Sequence, residues 1–332
     1  TDFKIKLQED AANLDEVVVV GYGTMDKKEL TSAVSHVSSK NFTQVASVDP
    51  SMMIQGKVAG VSITNTGAGD PNNQASIQVR GVSSRAAGLG PLIVIDGVPG
   101  GNLTNINPND IESYDVLKDG AASAIYGTRG SNGVILVTTK KGARDGNLHT
   151  SYNGSIALDV IKKDLDMLSP DEYRANRLAS GTGYDLGGST DWMKEVSRVG
   201  VRTVHTLTLS GGNIKSNYRA SVDYRDAKGI DKYSGRQEYG ARISLNHTTN
   251  SGLITFGLNI APRVAYRKNA TWDVFRNALE ANPTTPIWDP QNPALYYNFK
   301  GQPAEWNPIE QEKRRKDTGT TKLIDWDGTV KL

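Results

Sequence analysis

The chain has 332 residues, 37% of them hydrophobic, with 34 glycines, no cysteine and a formal net charge of +2. That length accommodates two or more domains, the glycine excess calls for tight turns and short strands, the near-balanced charge speaks against nucleic acid as a partner, and the lack of cysteine excludes disulfide and thiolate chemistry. No stretch approaches the ~18 consecutive apolar residues of a membrane helix and Thr1 opens no signal peptide, so any membrane span must be a β-barrel.

Thr1 to Gln8 alternates, with Phe3, Ile5 and Leu7 on one face and Lys4 and Lys6 on the other, as in the closing strand of a preceding domain. Asp10 to Asn13 reads as a short linker. Leu14-Asp15-Glu16-Val17-Val18-Val19-Val20-Gly21-Tyr22-Gly23-Thr24 follows. Four β-branched residues in succession disfavour helix, and Gly21 and Gly23 end regular structure at once. By itself the run fits a strand buried on both faces. It also fits an edge that another protein picks up by strand addition, backbone hydrogen bonds supplying the affinity. The surroundings favour the second reading, because the ~30 residues after Thr24 are polar and irregular and offer no partner strand.

Alternation is weak and Ser/Thr-rich from Leu30 to Asn41, and Pro50 to Gly56 reads as one short helix. A compact strand series follows. Val58, Val61 and Ile63 begin it, the turn Gly67 to Asn73 comes next, Ile77 and Val79 lead to Arg80-Gly81, and Leu92 to Ile95 runs into the tight turn Asp96-Gly97. Ile111 to Leu117 is a further strand. Asp119 to Tyr126 reads as a short helix closed by Gly127, and Val134 to Thr139 is the last strand of a small α+β domain.

After Lys140-Lys141-Gly142 the pattern changes. Tyr152 to Val160, Thr206 to Ser210, Tyr218 to Tyr224, Tyr239 to Leu245 and Ile254 to Ile260 make five strands with one apolar face and one face wet enough to carry arginine. Transmembrane barrel strands read this way, and so does a soluble antiparallel sheet with one solvated face; the pattern alone divides evenly between them. Between the strands, Ser169-Pro170-Asp171-Glu172 carries the hydroxyl, proline and glutamate of a capped helix start. Beyond Lys268 the chain is rich in Pro and Trp, as in long irregular loops, and Lys313 to Lys316 sits among acids as a solvated mixed-charge loop.

Catalytic and metal-binding chemistry finds no grouping. His36, His149, His205 and His247 are scattered, and neither Gly21-Tyr22-Gly23 nor Gly127-Thr128-Arg129-Gly130 opens a helix as a phosphate loop does. Of the acidic cluster Asp110, Glu112, Asp115 and Asp119, Glu112 is expected to face solvent and Asp119 to cap the short helix. The expectation is a non-enzyme with no cofactor or metal.

Strand-like box, small α+β domain and alternating strands arrive in an order that resembles the SusC/RagA family of TonB-dependent outer-membrane transporters. The matching stretches are Leu14 to Thr24, Leu92 to Pro99 (LIVIDGVP), Asn109 to Gly127 and Asn132 to Gly142 (NGVILVTTKKG). The resemblance implies an α+β plug followed by the first strands of an antiparallel transmembrane β-barrel, 22-stranded in the family. The corresponding domains are 1–9, the last strand of an immunoglobulin-like extension; 10–24, linker and TonB box; 25–143, plug; and 144–332, the incomplete barrel with its loops. Most of a barrel lies beyond Leu332, so the chain alone is not expected to transport. Gly120 stands where the family generally has alanine, which should weaken that helix by up to ~1 kcal/mol.

The implied partners are the TonB C-terminal domain at Asp15, Glu16, Val17, Val18, Val19, Val20, Gly21, Tyr22 and Gly23, a SusD-like surface lipoprotein, outer-membrane lipid of a Gram-negative bacterium, and a glycan or peptide ligand. With the box on the periplasmic side, hairpin connectivity places Thr66 to Asn73 and Pro99 to Asn107 toward the substrate. Asn65, Asn72, Asn73, Asn102 and Asn105 would then offer donors and acceptors, unless asparagine simply serves the turns. Arg80 is the candidate to lock the plug by pairing with barrel glutamates. Low local stability over residues 25–48 would suit mechanical remodelling by TonB. Two other functions remain open: a TonB-linked signal-transducing receptor, and a soluble glycan-binding β protein.

Overall fold

The computed structural model describes residues 17–20, 23–26, 34–43, 49–67, 69–81, 90–118, 124–162, 165–271, 273–299 and 306–331. They form two compact units. One is built from the chain up to Thr64 and from Ala75–Lys140, the other from Asn65–Gln74 and from Lys141 onward. The strand read at Thr1 to Gln8, the linker, Asp15, Glu16, Gly21, Tyr22, the expected cap Asp119 and Gly120 lie outside the described residues, as does the start of the helix expected there.

The first unit opens on a two-stranded ribbon, in which β1 (Val17–Val20) pairs antiparallel with β2 (Gly23–Asp26), Val18 opposite Met25. This corrects the expectation that the valine run has no partner strand. Backbone hydrogen bonds across a two-residue connection make the pair, and they leave no trace in the polar sequence after Thr24. The main sheet has five strands in the order β3 (Val34–Ser38), β8 (Ile111–Leu117), β9 (Val134–Thr139), β6 (Leu92–Ile95), β7 (Val98–Pro99), and only β6 and β9 run parallel. A separate ribbon joins β4 (Val61–Thr64) to β5 (Ser76–Val79).

The run Val134 to Val137 is continuous because β9 is central and covered on both faces. Ile135 and Val137 enter one core with Tyr114, Val116, Ile54, Ile63 and Val79, while Val134 and Leu136 enter another with Val94 and Leu117. Asp96 and Gly97 both take positive φ, 49° and 91°, as a two-residue hairpin of the twisted type requires. The Asp96 carboxylate also accepts from the backbone N–H and hydroxyl of Thr139 at 2.8 and 2.7 Å, tying the turn to the end of β9. Pro50–Ile54 is a 3₁₀ helix capped by Asp49, and Ala124–Gly130 is a 3₁₀ stretch broken at Gly127, where φ is 65°. His36, scattered in sequence, meets a cluster carboxylate in space: its Nδ1 lies 2.6 Å from Asp115 Oδ1. Glu112 is exposed, Asp110 and Asp115 buried.

The second unit is a six-stranded antiparallel meander, β10 (His149–Asp159), β11 (Gly200–Gly212), β12 (Ser216–Lys228), β13 (Gly235–Thr248), β14 (Thr255–Lys268) and β15 (Thr318–Lys331). The sequence reading found five strands and missed β15, whose polar, glycine-interrupted run Thr318 to Asp327 hides the alternation of Ile324, Trp326 and Val330. The loop expected beyond Lys268 holds two helices, Val274–Glu280 and Pro308–Arg314. Lys313 and Arg314 close the second of these rather than lying in a loop; cations in a last turn complement the helix dipole. The capped start at Ser169 is present, with Ser169 and Glu172 making the reciprocal capping bonds.

Candidate functional site

Alternation in the meander runs the wrong way for a sheet facing water. On the inner strands the apolar face is exposed, with Val222 53% and Tyr239 51% accessible and Ile243 and Leu245 beside them. The polar face of the same strands is buried and charged. Arg225 and Glu238, each 1% accessible, form an ion pair at 2.9 Å, Arg236 reaches the same glutamate at 2.7 Å, and Arg263 donates two bonds of 3.1 Å to Asp223. Exposing the apolar face costs free energy in water and gains it in hydrocarbon, and a polar inner face is what a barrel interior requires. Tyr152, His205, Tyr224, Tyr239 and Tyr266, on five successive strands, stand side by side with ring centroids 5.1 to 6.4 Å apart, the aromatic belt of a membrane interface.

Residues 213–215 and 249–254 make short turns at one end of the strands; at the other end 229–234 is equally short, but 160–199 and 269–317 are far longer. The two longest are folded together. Trp192 and Val196 pack with Val274, Ala278, Phe299 and Ile309 into a core of their own, and Trp192 Nε1 donates to the Asn282 carbonyl at 3.2 Å. Beside this core lies a cavity of about 1080 Å³, lined among others by Tyr173, Tyr184, Trp192, Arg177, Arg198 and Glu280. Sequence reasoning missed these residues; capped helix starts were the available signal, used at Ser169 and overlooked at Asp191 and Asn307. Burial raises the Glu312 carboxyl above its ordinary value, Asp231 adds to the rise, and hydrogen bonding to Thr271 opposes it.

Segment Asn65–Gln74, the loop between β4 and β5, folds with this unit at its long-loop end. Asn72 Nδ2 donates to the Lys268 carbonyl at 2.8 Å and to that of Gly235 at 3.3 Å, and Ile230 N–H donates to the Gly69 carbonyl at 2.9 Å. Asn65 Oδ1 accepts from Gly67 N–H and from Asn73 Nδ2, closing the loop on itself. Burial raises the Asp70 carboxyl, and the nearby Asp231 raises it further. Asn102 accepts from the backbone and hydroxyl of Thr104 as the cap of Leu103–Asn105, which contains Asn105. Thus Asn65, Asn72 and Asn73 come together, whereas Asn102 and Asn105 belong to the first unit, as does Arg80, held at φ 58°. Of the box, β1 presents one edge to β2, and among the described residues no strand pairs with its other edge.

A mixed sheet of plug type and a meander that turns its apolar side outward define a plugged β-barrel receptor. The family model for the TonB-dependent receptor plug domain matches residues 26–134. The chain is 38% identical over 309 residues to TonB-dependent receptor SusC of Bacteroides thetaiotaomicron, covering 89% of this chain and 30% of that protein. It is also 38% identical over 265 residues to TonB-dependent receptor P3 of Formosa agariphila, covering 77% and 26%. The structure of the RagAB peptide importer in its open-open state matches with a TM-score of 0.81 at 24% identity, over 95% of this chain and 40% of that one. The chain belongs to the SusC/RagA family of TonB-dependent receptors and carries the plug and the first barrel strands. It spans about 30% of the length of SusC.

Proposed function

We propose that the chain is the plug and first wall segment of an importer that takes a polar nutrient, an oligosaccharide or a peptide, across the outer membrane of a Gram-negative bacterium at the expense of TonB-transmitted energy. The inverted sheet carries this reading, because its exposed apolar face has a stable environment only in lipid. Residues 15–23 are the site for the periplasmic TonB C-terminal domain, which adds to the available edge of β1 or displaces β2 from it. The long-loop end faces outward, since barrel loops are longer on the extracellular side. There Asn65 and Asn73 offer polar groups to ligand, under a SusD-like lipoprotein lid; the amide of Asn72 is already engaged by the strand ends. Asn102 and Asn105, in the first unit, are proposed as further ligand contacts. Arg80 is proposed to lock the plug. An assembly named as a peptide importer, RagAB, shares the fold.

The test is binding of the TonB C-terminal domain to the chain with and without Val18→Pro. Proline removes the backbone donor on which strand addition depends. Met25→Pro, across the ribbon from Val18, serves as the control for loss of the ribbon itself. Binding that survives Met25→Pro and disappears with Val18→Pro supports the site. Binding unchanged by Val18→Pro, or absent from the unaltered chain, refutes it.

A further inference from the structure

We propose that the cavity beside the Trp192 core binds a carboxylate carried by the nutrient, with Arg198 as its fixed donor. The proposal deepens the reading above by naming a chemical class within it, and rests on that reading only for taking the long-loop end as the side where nutrient arrives.

What sets the cavity apart is how its charged side chains are already employed. Arg198 Nε donates to the Gly229 carbonyl at 3.0 Å and Nη2 to the Ser234 carbonyl at 2.7 Å, so the guanidinium is anchored to both ends of the connection 229–234. Its backbone N–H adds a bond of 2.7 Å to the Ile230 carbonyl. Among the described residues nothing accepts from Nη1, and Arg198 lines the cavity, so this nitrogen is left for an occupant. Ordering a long side chain is part of what opposes ligand binding, and here the ordering is done before the ligand arrives.

Two further cations line the cavity. The Arg177 guanidinium and the Lys194 ammonium make no hydrogen bond or ion pair among the described residues. The acids are differently placed. Asp191 caps its helix by accepting from Lys194 N–H at 3.1 Å, and Glu280 is paired with Arg276 at 2.9 Å, which leaves Asp166 as the unengaged acid of the described lining. Free donors therefore outnumber free acceptors. A visiting anion finds charge-assisted bonds, about twice as strong as those open to a neutral group.

Tyr173, Tyr184 and Trp192 stand beside these donors as an apolar wall, and the volume of about 1080 Å³ matches the upper end of small-ligand sites, ~300–1,000 Å³. A short oligosaccharide or peptide fits, and the group that the cations recognise is common to both: a uronate in one, a terminal or side-chain carboxylate in the other. The site also shares its foundation with the plug loop. Ile230 N–H holds the Gly69 carbonyl, so Arg198 and Asn65–Gln74 are fixed to the same connection.

The experiment is protection of a cysteine placed by Val199→Cys, at a lining position 53% accessible, next to Arg198 and outside the bonds described. The segment has no cysteine of its own. Full-length receptor, with cysteines outside the segment replaced by serine, is solubilised in detergent so that both ends are open, and its modification by N-ethylmaleimide is timed. The probes, at millimolar concentration, are trigalacturonate against neutral maltotriose, and N-acetyl-trialanine against its C-terminal amide. Protection by trigalacturonate and not maltotriose supports a uronate; protection by the peptide acid and not its amide supports a peptide carboxylate. Arg198→Lys keeps the charge and loses the fork, so the apparent affinity of the protecting probe should fall about tenfold or more, the worth of one charge-assisted bond. Lys194→Gln alters an exposed, unbonded side chain and should weaken protection with the unfolding midpoint unchanged. Equal protection by acid and neutral probes, protection by none of them, or protection indifferent to both substitutions overturns the proposal. TonB takes no part and both ends are accessible, so failure here is distinct from failure of the TonB-binding test.

Discussion

Replacing Ile243 by arginine asks most directly whether the exposed face of the meander lies in lipid. Ile243 is 46% accessible on β13, four residues from Tyr239 of the aromatic belt. At ~3.4 Å per residue and a strand tilt of ~40°, those four residues descend about 10 Å from the interface. An apolar band ~25 Å tall therefore puts Ile243 near its middle, where arginine costs about 2–4 kcal/mol. The same change at Tyr239 stays near the interface and should cost no more than about 1 kcal/mol. On a water-exposed sheet both substitutions would fall within about 0.5 kcal/mol of neutral. Reversible urea unfolding of the full-length receptor in vesicles, followed by tryptophan fluorescence, measures both. Equal and small effects at the two positions, or a stabilising Ile243→Arg, would refute the membrane assignment of this face.

Three further outcomes follow from the same geometry. Glu238→Gln removes the carboxylate shared by Arg225 and Arg236 on the buried face and should destabilise the barrel by about 3–5 kcal/mol, read from the same unfolding midpoint. Because Glu312 has its carboxyl pKa raised by burial, the folded state binds its proton more tightly than the unfolded chain does. Its contribution to stability therefore falls as pH rises from the ordinary value of 4.5 through the raised one, and the penalty is complete above it. Glu312→Gln keeps an acceptor for Thr271 N–H and should raise Tm at neutral pH while flattening the pH dependence of Tm between about pH 4 and neutrality. Hydrogen exchange should find residues 34–38, on the sheet edge, opening well before 134–137 at its centre; the reverse order would count against a yielding N-terminal slice.

Much of the fold was legible because it is carried by local chemistry. Val134 to Val137 announced a strand covered on both faces, Asp96-Gly97 a hairpin, Ser169 to Glu172 a capped helix, and the alternation at Tyr218 and Tyr239 paired faces. Where the signal is not local, reading failed. β15 was lost among threonines and glycines, and the ribbon of β1 with β2 rests on backbone bonds that side chains do not encode. The joint core of Trp192 with Phe299 links residues more than a hundred apart, beyond the reach of any window of periodicity.

Alternation by itself determined that the later strands have one apolar and one polar face, and composition that no disulfide or thiolate holds them. It could not say which face is covered, because period two is identical for a sheet in water and a sheet in lipid. Only the tertiary structure decided that, by burying Arg225, Glu238, Asp223 and Arg263 together and leaving Val222, Tyr239 and Ile243 of the same inner strands outside. It alone also showed that Asn65–Gln74, between two plug strands in sequence, is bonded to the ends of the wall, since those bonds join backbone carbonyls at Gly235 and Lys268 that no side-chain pattern marks.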